Sequence, residues 1–211
     1  MFLVTCTVYV LQAPRRRTNR ERTESTKSAL LVAARRLFVE KGFAATGTPE
    51  IVAMAGLTRG ALYHHFPGGK DDIFRAVVEA EAAAVAAEIE AATPHTLDPL
   101  VALGEGGDAY FAAMAIDGRT RLLLLEGPAI LGRAAMDEID SRHGGRTLRD
   151  GLGMAMEAGA IRHLPLDALS TLLSAVFERA ALALGTGGDP EAYREVVATI
   201  VTALAVPGHD A

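Results

Sequence analysis

Apolar residues recur along this chain at helical rather than strand spacing. Leu30, Ala33, Ala34, Leu37 and Phe38 fall at i, i+3, i+4, i+7 and i+8 and make one stripe. Ser25 or Thr26 offers a cap at its start, Gly42 a stop, and Lys41 a cation for the negative helix end. A second start follows at once. Thr48 suits an N-cap, and Pro49 suits the first helical position, where its missing N–H costs nothing. Ile51, Val52 and Ala55 form a short apolar face that Gly56 ends, and Thr58 caps a third short helix running to about His65. After the break at Pro67-Gly68-Gly69, a longer helix is expected over 70–92, with Ile73, Val77, Ala80 and Ala84 on its buried side. Further helices are expected over 99–116, 120–126, 128–141, 146–158, 166–184 and 190–206. No alternating strand pattern of useful length and no internal repeat is present, so the fold class is all-α.

Composition agrees with this reading. Half of the 211 residues are apolar, aromatics are 5%, Trp is absent and Ala is abundant, which favours helices over sheets. Cys6 is the only cysteine, so neither a disulfide framework nor a zinc site with two thiolates can form, and a cytoplasmic setting is expected. The net charge of −5 is unevenly spread. Residues 14–75 hold 12 basic and 6 acidic side chains, residues 76–211 hold 9 and 20. A basic N-terminal part on an acidic body suggests a polyanion-binding head and a body with another task.

The first 25 residues read as a tail, apolar and then basic. Met1 to Leu11 resembles a short signal core, but its basic cluster follows instead of preceding it, and it falls far short of the roughly 20 residues that span a bilayer. The run from Pro14 to Lys27 has too few apolar residues to fold alone. It is either a solvated tail or an arm that lies against phosphates.

Two short helices joined by a tight turn at Gly56-Leu57 are the helix-turn-helix signature. Ala53 and Ala55 are small where the helices would cross, and Leu57 and Leu62 point inward. The outward face of the third helix carries Thr58, Arg59, Ala61, Tyr63 and His64, while Gly60 leaves the backbone approachable. Such a helix lies in a major groove with its N-terminal residues at base edges. Other readings are weaker. His64 and His65 diverge by about 100° on a helix and have no third ligand at fitting spacing, so no metal site is expected. Asp71-Asp72 reads as an acidic first turn. Gly104, Gly106 and Gly107 follow no strand and read as loosening or kinking a helix, and no Ser/His/Asp grouping suggests an enzyme.

The stretch LLVAARRLFVEKGFAATGTPEIVAMAGLTRGALYHHF, from Leu30, resembles the DNA-binding domain of the TetR (tetracycline-repressor-like) transcriptional regulators, and the likeness continues to Phe74. AGLTRGALYHHF is similar to the family's most recognisable run, and GGKDDIF to the usual start of its fourth helix. LLLLEGPAILG, from Leu122 to Gly132, resembles a C-terminal domain of part of the family. The resemblance implies a helix-turn-helix domain over 26–75 and a ligand-sensing and dimerisation domain over 76–211, with no cofactor and no membrane partner. It also implies residue roles. Thr58 would cap the recognition helix and touch a phosphate, and Arg59 would pair with guanine. Gly60 and Ala61 would permit close approach, with Ala61 on a thymine methyl. Tyr63 and His64 would meet backbone or base edges, and His65 would serve packing, phosphate or both. Lys70 and the Thr48 helix start would take further phosphates. Two positions depart from the family pattern. Gly47 stands where Ser or Thr is usual, and Pro67 adds a residue before the fourth helix, which could shift Lys70.

The body is larger than a DNA-binding head needs, and the resemblance implies a ligand pocket inside it. Tyr110, Phe111, Met114, Glu126 and Phe177 are the candidates, polar groups among apolar ones for a largely apolar small-molecule effector. The helices over 166–184 and 190–206 carry wide apolar stripes. Pairing with a second copy through Leu169, Leu173, Val176, Tyr193, Val197, Ile200, Val201 and Leu204 would form a four-helix homodimer interface; intrachain core is the alternative. The expected function is a ligand-responsive repressor, a homodimer on a palindromic double-stranded DNA operator. The competing reading is a small-molecule-binding helical dimer that docks a protein partner in place of DNA.

Overall fold

The computed structural model describes residues 18–94 and 98–207. The apolar stretch over 1–11 and the basic residues up to Arg17 lie outside the described residues. The chain runs through α1 (Asn19–Lys41), α2 (Thr48–Ala55), α3 (Arg59–His65), α4 (Lys70–Ala92) and α5 (Pro99–Met114). A π-helical segment (Arg121–Glu126) leads directly into α6 (Gly127–Leu131). Then come α7 (Arg133–Arg142), α8 (Gly144–Glu157), α9 (Leu166–Leu184) and α10 (Pro190–Thr202). Among the described residues β pairing is limited to an isolated antiparallel bridge between Ile161 and Ala205. Among the same residues no helix is long and apolar enough to cross a membrane.

Several boundaries differ from the expected ones, each for a local reason. The first helix begins at Asn19, ahead of Ser25 and Thr26, because Thr18 and Glu21 form a capping box. The Thr18 N–H donates to Glu21 Oε2 at 2.7 Å, and the Glu21 N–H donates to Thr18 Oγ1 at 3.2 Å. Thr26 instead bonds back to the Arg22 carbonyl at 2.9 Å. Gly47, not Thr48, is the N-cap of α2; lacking a side chain, it gives its N–H to Glu50 Oε2 at 3.3 Å. The helix expected over 128–141 is split at Gly132, whose φ of +85° interrupts the α conformation. The last helix stops at Thr202, because the chain then turns to pair with the segment after α8: Arg162 N–H meets Leu204 O and Val206 N–H meets Ala160 O, both at 3.0 Å. The glycines of α5 neither break nor end it. Gly107 lets the Phe177 ring approach so closely that an added Cβ would stand 3.1 Å from it.

The core explains why α4 is central. Leu30, Leu37 and Phe38 of α1, Ile51 of α2 and Leu62 of α3 are buried together with Ile73, Phe74, Val77 and Val78 of α4. Phe74 meets Phe38 and Phe43 edge-on, at ring-centre distances of 5.2 and 4.9 Å. The same cluster continues into the body through Met114, Leu122, Leu123 and Ile139. A boundary at residue 76 therefore falls inside α4, whose residues on both sides share one core.

A buried carboxylate sits within this frame. Glu81 of α4 bonds Arg35 Nε of α1 at 2.7 Å and Arg119 Nε, after α5, at 2.9 Å. Arg119 is itself only 5% exposed, and it also reaches Glu88 at 3.0 Å and the Ala113 carbonyl at 2.8 Å. Burial alone would raise the Glu81 carboxyl, but hydrogen bonds from Arg35 and Arg119 outweigh it and hold the group below its ordinary value. Its stabilisation is therefore complete above the ordinary glutamate range and is lost as pH falls through the lowered folded-state value. Glu81→Gln should cost about 3 kcal/mol near neutrality by denaturant unfolding. That deficit should shrink in acid. A deficit equal at both pH values would contradict this role for Glu81.

Candidate DNA-binding surface and body cavity

Helix α2 ends at Gly56, whose φ of +64° turns the chain tightly enough for Leu57 N–H to reach Val52 O at 2.9 Å. Thr58 then caps α3, its hydroxyl oxygen accepting from Ala61 N–H at 3.2 Å. Leu62 is fully buried in the core shared with α1, α2 and α4, and α3 packs against α1 and α2. With one side so anchored, Thr58, Arg59, Gly60, Tyr63 and His64 are exposed, and Ala61 and His65 are half-buried. A Cβ at Gly60 would meet nothing nearer than 3.9 Å, so the backbone there is open.

Arg59 and Tyr63 form one unit. The guanidinium carbon lies 5.4 Å from the Tyr63 ring centre. Hydrogen bonding from Arg59, then from Thr48, lowers the Tyr63 phenol below its ordinary value. Tyr63 also lies over Gly69, where an added Cβ would stand 3.3 Å from Cε1, and Gly69 adopts a φ of +67°. Lys70 points inward: its Nζ donates to the Phe43 carbonyl at 2.9 Å and sits 4.1 Å from the Phe43 ring centre. Eight of the nine expected DNA-facing residues thus gather around α2 and α3, while the Lys70 ammonium is engaged with Phe43.

The body holds a partly open cavity of about 550 Å³ bounded by α4, α5, the π-helical segment, α6, α7, α8 and α9. Tyr110, Met114 and Phe177 line it. Phe111 is not part of the lining; it packs on Tyr110 and Phe177 at 5.7 and 5.6 Å. Glu126 does not line it either. It accepts from Phe43 N–H at 3.3 Å and stands 3.4 Å from Arg121 Nε, although not in hydrogen-bond geometry. Arg121 also donates to the Phe38 and Val39 carbonyls at the end of α1. The π-helical segment therefore faces two ways, with Leu123 and Leu124 on the cavity and Arg121 and Glu126 on the head.

Residues that pattern reading missed are Arg121, Asp140 and Glu178. Glu178 alone left a signal, as a charge interrupting the apolar run of α9. Of the expected interface residues, Leu173, Val197 and Val201 are buried within the chain itself. Leu169, Val176, Tyr193 and Leu204 are half-buried, and Ile200 is exposed. The outward apolar faces are Ala168, Leu172 and Ala175 on α9, and Ala192, Val196 and Ile200 on α10, with Ala203 just past its end.

This architecture has known counterparts. The pattern of bacterial regulatory proteins of the tetR family matches residues 30–77, and that of the tetracyclin repressor-like C-terminal domain matches residues 100–206. The chain is 44% identical over 63 residues to the HTH-type transcriptional repressor BepR of Brucella suis, covering 30% of this chain and 29% of that protein. It is 32% identical over 110 residues to the probable HTH-type transcriptional regulator ArpR of Pseudomonas putida, covering 50% of each. The chain thus spans half or less of the length of these curated relatives. A TetR-family transcriptional regulator from Pectobacterium atrosepticum superposes with a TM-score of 0.71 at 29% identity, over 90% of this chain and 98% of that one. The chain belongs to the TetR family of helix-turn-helix transcriptional regulators.

Proposed function

We propose that this regulator is a repressor that binds a palindromic operator as a homodimer and releases it when a small molecule enters the body cavity. The observation that carries the reading is the anchored α3, with Leu62 buried behind it and Arg59 and Tyr63 presented together in front. Arg59 reads guanine by bidentate hydrogen bonds, and Ala61 contacts a thymine methyl. Thr48, Thr58, Tyr63, His64 and His65 position the backbone. Lys70 holds Phe43 with one ammonium hydrogen and retains two for a phosphate.

Two heads need a fixed spacing, roughly 34–36 Å between half-sites or a near multiple of it. The outward faces of α9 and α10 supply the contact between copies: an apolar stripe left uncovered on a helix seeks a partner. The cavity is tied to the head through the π-helical segment. A ligand that displaces Leu123 or Leu124 moves the backbone from which Arg121 and Glu126 hold the end of α1. Release requires that the ligand bind one head position better than the other, since equal affinity shifts nothing.

Selection from random DNA should return an inverted repeat, and Arg59→Ala should lose about 1–3 kcal/mol of preference at one base pair per half-site. No enriched repeat would favour a protein-docking head. Leu172→Glu together with Ile200→Glu should give monomers by light scattering and lose operator affinity; a double variant that stays dimeric would exclude these faces. Arg121→Ala should raise hydrogen exchange at Gly42 and Phe43 and leave α9 protected, whereas unchanged exchange there would remove the π-helical segment from the coupling.

A further inference from the structure

We propose that the cavity receives an amphipathic organic cation, its ammonium-type head seated by Glu178 and Asp140 beside the Tyr110 hydroxyl. This deepens the ligand-responsive reading and rests on it.

The pairing of charges around the cavity carries the inference. Arg146 is committed to Glu90 and Asp150, and Arg133 to Asp137 at 2.9 Å. Two lining carboxylates remain without an ion-pair partner among the described residues, Asp140 and Glu178. Asp140 is held by neutral donors only, Gly145 N–H at 3.1 Å and the Ser174 hydroxyl at 3.3 Å. Glu178 has no hydrogen bond at all among the described residues, and Arg133 offsets its charge only from a distance. Tyr110 adds an independent sign. Tyr110 lines the cavity and is half-buried; its hydroxyl has no hydrogen-bond partner among the described residues, while its ring packs on Phe111 and Phe177. A phenol on a cavity wall with no partner from the protein offers its hydroxyl to a ligand atom.

The remaining lining sets the rest of the ligand. Val85, Leu103, Leu123 and Phe177 accept an apolar body. An anion would face two carboxylates, and a neutral molecule would leave both uncompensated in a poorly solvated place. Burial already raises both carboxyls above their ordinary values, and the Asp140 charge raises Glu178 further. A cation relieves that cost, because an opposite charge at contact favours the ionised form.

Three probes with one body separate these cases: 6-phenylhexylamine, 6-phenylhexan-1-ol and 6-phenylhexanoic acid, titrated calorimetrically into the full chain. The amine should bind at least about tenfold tighter than the alcohol, and the acid weakest, as a charge-assisted hydrogen bond predicts. Glu178→Gln, confirmed as folded by circular dichroism, should erase most of that preference. Arg133→Ala, at an exposed position, should strengthen amine binding about two- to threefold by removing an offsetting charge. Binding of the alcohol or acid as tight as that of the amine, binding of none of the three, or a preference that survives Glu178→Gln would overturn the proposal. A selected operator fragment keeps the two readings apart. Preferential amine binding that leaves DNA bound supports the cation site and rejects ligand-driven release. Release by the alcohol or acid without amine preference rejects the cation site and keeps the release mechanism.

Discussion

Glu81 is the carboxylate on which the relation of head to body rests. It stands on α4 and takes Arg35 from α1 across both oxygens, at 2.7 and 3.2 Å, while Arg119 from the loop after α5 shares the second at 2.9 Å. Burying one anion between two cations is stable only when the geometry is good and further donors and acceptors are satisfied. Arg119 meets that condition through Glu88 and the Ala113 carbonyl, and Arg35 through the Asp117 carbonyl at 3.2 Å. The three elements are thus fixed in register at a point where apolar contacts alone would allow sliding. Displacing any one of them would leave a charge buried without its partner.

The second tie, through Arg121 and Glu126, is of another kind. Arg121 grips carbonyls at the end of α1, yet its Nε is buried without a hydrogen bond. The segment that carries it is π-helical, a geometry seen mostly as single turns and frequently at functional sites. A well-satisfied tie at Glu81 and an imperfect one at Arg121 differ in how readily they yield.

Much of this was legible in the residues, and the failures have identifiable causes. The periodic stripe of α1, the Gly56 turn, the Thr58 cap and the start of α4 at Lys70 rest on local rules, and all four stand in the structure. The early start of α1 was also local, a Thr18-to-Glu21 box, but it precedes the apolar stripe by more than two turns and carries no core residue. The body was harder. Leu173, Val197 and Val201 belong to the same broad stripes as Leu172 and Val196, and spacing does not say which edge of a wide stripe meets its own chain. Glu126 could not be assigned to the head because its partner, Phe43, is distant in sequence. The cavity acids were invisible for a similar reason: a carboxylate is unusual only once its lack of a cation is known, and that is a tertiary fact.

The shared core of α1 to α4 with the π-helical segment has a consequence for how the molecule melts. Phe74 and Val78 are buried at once against the small N-terminal helices and within the cluster that reaches Leu122 and Ile139. The N-terminal helices have no separate apolar interior to retain once α4 is lost, so head and body form a single cooperative unit. Damage in the middle of α4, remote from α3, therefore unsettles both parts together.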